Sequence, residues 1–239
     1  MRKIIHYLLP LLLIACGGNT ASNQESGSES IKNSCLADLI ANNEIEKMIS
    51  IESLAQIIGK PASNIEMQDN KSSSSKYSTM VYQWEAEEPR MMRMEVKAGD
   101  RVMVMENEVP NTVNVGNLEL LEDEDPMTYF KRLYAPKSAA EKTQAKKDID
   151  KASQNSDKVN QEQAETLKKM VDKQKSKAVD GVGDQAYFST AEVSGVESLI
   201  LRVLHGNVMF EVTADVSANL EEDLAMARKI AQEIIVQCK

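Results

Sequence analysis

The chain reads as an α+β protein, an antiparallel twisted sheet packed with N- and C-terminal helices and interrupted by a polar helical arm. Three observations lead there. Short alternating runs joined by tight turns occur in both halves of the chain, as at Met91 to Lys97, Ala98-Gly99-Asp100 and Arg101 to Glu106. The C-terminal segment after Asn219 carries Leu220, Leu224, Ala227, Ala231, Ile234 and Cys238 at spacings of four and three, one buried helical stripe. Residues 137–177 contain no glycine, aromatic residue or proline, and their helical stripe is half small or polar, which describes a solvated helix or helix pair.

In chain order, Cys35 to Ile49 reads as helical through Leu36, Leu39, Ile40, Ile45 and Met48. Ser50 caps a second helix carrying Ile51, Leu54, Ala55 and Ile58, stopped at Gly59-Lys60-Pro61. Lys71 to Lys76 is a polar loop. Tyr77 to Glu85 is a strand with Met80, Tyr82 and Trp84 on one face, followed by the hairpin above. No element is assigned from 107 to 124. Asp125 caps and Pro126 opens a short helix through Met127, Phe130, Leu133 and Tyr134, ended before Pro136. After the arm come strands at Gln185 to Thr190 and Ser198 to Leu204, a turn at His205-Gly206-Asn207, and a strand at Val208 to Thr213. Asn219 caps the final helix, with Glu221 and Glu222 in its first turn where the dipole favours acids. Both halves run strands, hairpin, helix, an order compatible with a duplicated unit although the side chains differ.

The N-terminus carries an address. Arg2 and Lys3 precede an apolar run from Ile4 to Ile14, too short for the roughly 20 residues that span a bilayer, and a small residue, Ala15, stands before Cys16. Leu13-Ile14-Ala15-Cys16 resembles the bacterial lipobox, in which the cysteine is acylated and becomes the new N-terminus. That resemblance implies a signal peptide over 1–15, a lipid on Cys16 and a cell-envelope location. Gly17, where an aspartate is the inner-membrane retention signal of the best-known sorting scheme, implies the outer membrane rather than the inner. Gly17 to Ser30 has no apolar side chain larger than a methyl, so 16–34 is expected to be a flexible tether and 35–239 one domain.

Loss of Arg2 and Lys3 takes the formal charge from −9 to −11. So acidic a chain is unsuited to nucleic acid, whose phosphates require a basic face, and to electrostatic adhesion to anionic lipid. Membrane association therefore falls to the lipid. Aromatic residues at 4% do not supply the stacked rings of a carbohydrate platform. With Cys16 acylated, Cys35 and Cys238 are the two thiols left for an oxidising compartment, which predicts a disulfide between them.

Catalytic constellations are scarce. The mature chain has one histidine, His205, read as an exposed turn residue, so zinc and serine-triad chemistry lack their parts. Gly181-Val182-Gly183-Asp184 lacks the Lys-Ser/Thr of a phosphate loop and is read as a turn entering the Tyr187 strand. It resembles the Gly-x-Gly-Asp-x-Ala turn of several uncharacterised secreted lipoproteins. The likeness covers 35–60 and 181–237 and implies fold alone, similar to the sandwich of PsbP-like proteins. Glu122 to Asp125 lacks the spacing of a calcium loop and is read as helix capping.

Methionine usage is uneven. Met80, Met91, Met92, Met94, Met103 and Met105 crowd one predicted sheet. Thioethers are soft Cu(I) ligands, and Met92, Met94, Met103 and Met105 are the candidates should a metal bind. Val96, Val102 and Val104 beside them favour core filler, and no cofactor is expected. The function expected is a non-enzymatic binding or scaffolding lipoprotein. Its arm at 137–177, with eleven lysines and seven acids, offers a surface to an envelope partner or a second copy. The alternatives are a carboxylate-based hydrolase of an envelope polymer and a small-ligand or Cu(I) carrier.

Overall fold

The computed structural model describes residues 34–88, 90–98, 101–122, 125–155, 161–173, 175–193 and 196–238. Cys16, the signal segment and most of the tether lie outside them. The fold is α+β, with terminal helices packed on an antiparallel sheet. Helices α1 (Ser34–Asn42) and α2 (Ile51–Ile58) precede strands β1 (Glu66–Asn70) and β2 (Thr79–Trp84). A hairpin of β3 (Arg90–Ala98) and β4 (Arg101–Val109) follows, then β5 (Asn111–Leu120). Helices α3 (Pro126–Tyr134), α4 (Ala139–Asn155) and α5 (Gln161–Lys173) lead to β6 (Ser176–Val179), β7 (Gln185–Val193), β8 (Val196–His205), β9 (Val208–Asp215) and α6 (Leu220–Gln237). Seven strands form one sheet in the order β1-β2-β5-β9-β8-β7-β6, every neighbour antiparallel. β3 and β4 pair with each other as a separate ribbon.

Strand alternation decides the layers. In β2 the buried residues are Met80, Tyr82 and Trp84, with Val81 and Gln83 half-buried on the other face. Val113, Val115, Leu201, Val203, Phe210 and Val212 extend the first face, and α1, α2 and α6 cover it. Burial stabilises each such side chain by about 1.5–3 kcal/mol. Ala227, Ala231 and Ile234 of the α6 stripe anticipated from the sequence are fully buried there, joined by Ile230, which the stripe left out, while Leu220 and Leu224 are half-buried. On the opposite face α3 stands over β8, where Phe130 packs on Tyr187, Leu204 and Met209, its ring 5.7 Å from that of Tyr187. The Cys35–Cys238 disulfide ties α1 to the end of α6, with Cα atoms 5.2 Å apart.

Local signals hold where they are local. Ser50 Oγ accepts the Ser53 amide, Asp125 the Thr128 amide and Asn219 Oδ1 the Glu221 amide, each capping its helix. The first helix, however, ends at Asn42 rather than Ile49. Asn43 turns left-handed at φ 51°, and a 3₁₀ turn at Ile45–Lys47 brings Ile45, Met48 and Ile49 into the core. The Tyr82 hydroxyl donates to Ile49 O at 3.3 Å.

Central strand β5 has no counterpart in the sequence reading. Its Gly116 and Asn117 look like breakers but form a bulge opposite Glu211. A Cβ on Gly116 would lie 2.3 Å from Ser78 O, so β5 runs this close to the start of β2 with glycine alone. The arm is a helix pair whose main packing partner is itself, with Ala164 buried and Lys168 paired to Asp150. It ends before 176, because Ser176 and Lys177 belong to edge strand β6.

Two three-stranded meanders, β1-β2-β5 and β7-β8-β9, meet along the antiparallel β5–β9 pair. A duplication about an axis through that pair would put α3 and α6 on the same face. They lie on opposite faces, so the likeness stops at the strands.

Candidate functional site

The feature that stands apart from the packed core is the β3–β4 ribbon. It leaves the sheet between Trp84 and Asn111, the last paired residues of β2 and β5. Nine residues per strand extend it about 30 Å. The sequence reading favoured core for its apolar residues, and the structure corrects this. Val102 (54%), Met103 (49%), Val104 (46%) and Met105 (45%) are all exposed, as is Met91 (59%). Alternation made the strand assignment right, but core also requires a second layer, and among the described residues these β4 side chains are left exposed. Met80 is the exception, buried in the main sheet.

The root of the ribbon is pinned by Arg90. Its Nη1 donates to Asp215 Oδ1 and to Ser217 O, and its Nη2 donates to Pro110 O and Asp215 O, both at 2.9 Å. One guanidinium thus joins the first residue of β3, the β4–β5 link and the end of β9. Arg90 Nε is buried without a partner. Lys60 pairs with Glu87 at 2.8 Å beside it.

Here a cleft of about 1110 Å³ opens between the end of α2, the start of α6 and the ribbon, with Trp84, Glu88, Arg90, Asp215, Glu222 and Asp223 in its wall. Its two buried or half-buried carboxylates have structural partners. Asp215 is neutralised by Arg90. Asp223 Oδ1 accepts the amides of Val216 and Ser217, both at 3.0 Å, closing the turn into α6. Burial pushes the Asp223 carboxyl above its ordinary pKa and Asp215 adds to this, while the two amide bonds and Arg90 pull the other way. Both carboxylates are thus engaged by the fold, Asp215 through Arg90 and Asp223 through the turn amides.

The remaining candidates fall in several places. His205 ends β8 half-buried rather than exposed. Its Nδ1 has no hydrogen-bond partner, and Asp184 Oδ2 is 3.9 Å away, too far to orient an imidazole as a triad does. Gly181 to Asp184 is a turn, as read. Gly183 is left-handed with Leu204 O where a Cβ would go, and Asp184 accepts the Gly206 amide. Asp123 and Glu124 lie outside the described residues, while Asp125 caps α3. Among the described residues no three of His, Cys, Asp and Glu are placed to hold a metal.

The ladder does gather the methionines. Met94 stands directly opposite Met105, Met92 opposite Asn107 and Val96 opposite Met103. The Met-x-Met spacing was visible in the sequence, but the alignment of the two pairs is not. On the sheet face beside α3, Arg202 bonds Glu211 at 2.6 Å and Ser189 at 2.9 Å, and lies over the Tyr134 ring. Asn117 completes that set on Glu211, which is internal and satisfied. The sequence reading had no signal for it or for Arg90, whose partners Asp215 and Ser217 lie 125 and 127 residues away. Compared with protein-family models, curated proteins and solved structures, the chain matches none.

Proposed function

We propose that this protein is a lipid-anchored component of the bacterial cell envelope that binds or scaffolds another envelope component and catalyses no reaction. The observation that carries the reading is the ribbon. An isolated two-stranded hairpin is marginal in water, and one that exposes five large apolar side chains is better explained by a partner than by its own stability. Among the described residues both ribbon strands pair only with each other, so each offers a free edge to which an extended segment can add. The Arg90 clamp fastens the root of this surface to the core. The engaged state of Asp215 and Asp223 supports a non-catalytic role over a hydrolase.

The lipobox at Leu13 to Cys16 supports the anchor, and Gly17 favours the outer membrane. The tether then sets how far the domain and its ribbon stand from the bilayer. The order of elements is compatible with a PsbP-like sandwich. Two measurements test the reading. Mass spectrometry of the membrane fraction should find an N-terminal acylated Cys16; a soluble protein, or one cut elsewhere, removes the localisation. A photo-crosslinking residue at Val102 or Val104 should yield a discrete adduct in intact envelopes. The same group at exposed Val236 of α6 should not. Equal labelling at all three positions, or none at the ribbon, contradicts the binding role.

A further inference from the structure

We infer that the ribbon carries a soft-metal site, in which the Met92-x-Met94 and Met103-x-Met105 pairs are aligned by the β3–β4 ladder into a thioether cluster for Cu(I). This goes beyond partner binding and does not depend on it.

The argument begins with register. Directly opposed residues of an antiparallel pair share a face with Cβ atoms about 4.5–5.5 Å apart, and diagonal neighbours lie about 7–8 Å apart. Met94 opposes Met105. Met92 is one diagonal step from Met105, and Met103 one diagonal step from Met94. Four methionine positions therefore form one continuous group on one face of the ribbon. Arg93, Glu95 and Lys97, opposite Glu106, Val104 and Val102, fall by alternation on the other face. The methionine face carries a charged position at each end, Arg90 at the root and Arg101 at the tip, while Glu106 and Glu108 fall on the other face with Arg93, Glu95 and Lys97.

Chemistry then selects the ion. A methionine side chain has three rotatable bonds, so donors starting at these spacings can converge on one centre. Thioethers are neutral, soft ligands that suit Cu(I) and serve Zn²⁺ or Ca²⁺ poorly. Met103 and Met105 are about half exposed and face solvent rather than core, so the β4 half of the group is reachable. Cys35 and Cys238 are consumed in the disulfide, leaving thioethers as the soft donors of the described domain. An apolar docking face alone would be served equally by leucine. Two Met-x-Met pairs in register are what a soft cation requires.

The test uses the full mature chain in detergent, titrated anaerobically with Cu(I) against a chromogenic chelator. In parallel, Ag(I), a redox-inert probe, is added while methionine methyl groups are followed by NMR. One Cu(I) per chain should be retained, and the ribbon methionine methyls should shift. Because thioethers carry no proton to lose, affinity should be the same at pH 5 and pH 7. The M94L/M105L variant keeps the face apolar and its volume nearly unchanged, and should weaken Cu(I) binding about 100-fold or more by removing two soft donors. Met67→Leu, at an exposed methionine of β1, should change nothing. Loss of all Cu(I) to the chelator, equal affinity in wild type and M94L/M105L, or methyl shifts outside the ribbon would each overturn the site. Crosslinking through Val102 or Val104 should survive M94L/M105L, so failure of the metal site and failure of partner binding are separable.

Discussion

Replacing Cys35 and Cys238 together by alanine measures how much of the stability rests on closing the chain. The bridge joins residues 203 apart, from the start of α1 to the end of α6. In the chain-entropy treatment a loop of that length removes about 18 cal/mol/K from the unfolded chain, or about 5 kcal/mol at 25 °C. That is comparable with the whole stability of many domains, about 5–15 kcal/mol. For a domain of this size each kcal/mol moves the melting temperature by about 2–4 °C, so the double variant should melt about 10–20 °C lower. Alanine is the right replacement because Cys238 is buried, and serine would add an unpaired hydroxyl to the core. The folded state should survive, since Ile230, Ala231 and Ile234 hold α6 on the sheet without the bridge. Urea and thermal unfolding would be followed by circular dichroism for the oxidised protein, the reduced protein and the double variant. The last two should coincide, with a steeper urea dependence than the oxidised form because their unfolded chains expose more surface. A melting shift under about 3 °C would refute the reasoning, by showing an unfolded ensemble already compact without the bond. Two reactive thiols on Cys35 and Cys238 in the denatured, unreduced wild type would remove its premise.

Three further outcomes follow from the packing. Gly116→Ala puts a methyl 2.3 Å from Ser78 O at a φ of +155°, and should cost about 3 kcal/mol in urea unfolding; an unchanged midpoint would contradict the bulge geometry. Because the Asp223 carboxyl is raised in the folded state, its ionised form opposes folding at neutral pH, and that cost disappears as pH falls through the raised pKa towards the unfolded value. Asp223→Asn keeps an oxygen for the Val216 and Ser217 amides, so its stability relative to wild type should be highest at pH 7 and decline in acid; a constant difference from pH 3 to pH 8 would contradict this. Exchanging residues 139–175 for a short Gly/Ser linker, with β6 left intact, should lower the melting temperature by less than about 3 °C, because the arm packs chiefly on itself and its exposed ion pairs are individually weak; a larger loss would place it in the core.

What could be read in the sequence is what acts within a few residues. A cap closes within three positions, so Ser50, Asp125 and Asn219 announce their helices, and the alternation of Met80, Tyr82 and Trp84 shows which face of β2 is buried. Strand β1 was silent because all five of its residues are exposed, leaving no alternation to see. Strand β5 was masked by Gly116 and Asn117, whose positive-φ geometry makes sense only with the Ser78 carbonyl beside them, where it accepts the Asn117 amide.

The sequence by itself determined the α+β class, the caps, the C-terminal stripe and, by elimination of thiols, the Cys35–Cys238 pair. Only the tertiary structure decided that the same alternation is core in β2 and exposed surface in β4, because burial requires a second layer that arrives from elsewhere in the chain. Likewise only pairing register decided that Met94 stands opposite Met105 in the ladder, since register is a relation between two strands and neither contains it alone. Arg90 is the clearest case. Its local sequence says only that a cation opens a strand, while its partners on Asp215 and Ser217 exist because folding brings residues 125 and 127 positions away to its guanidinium.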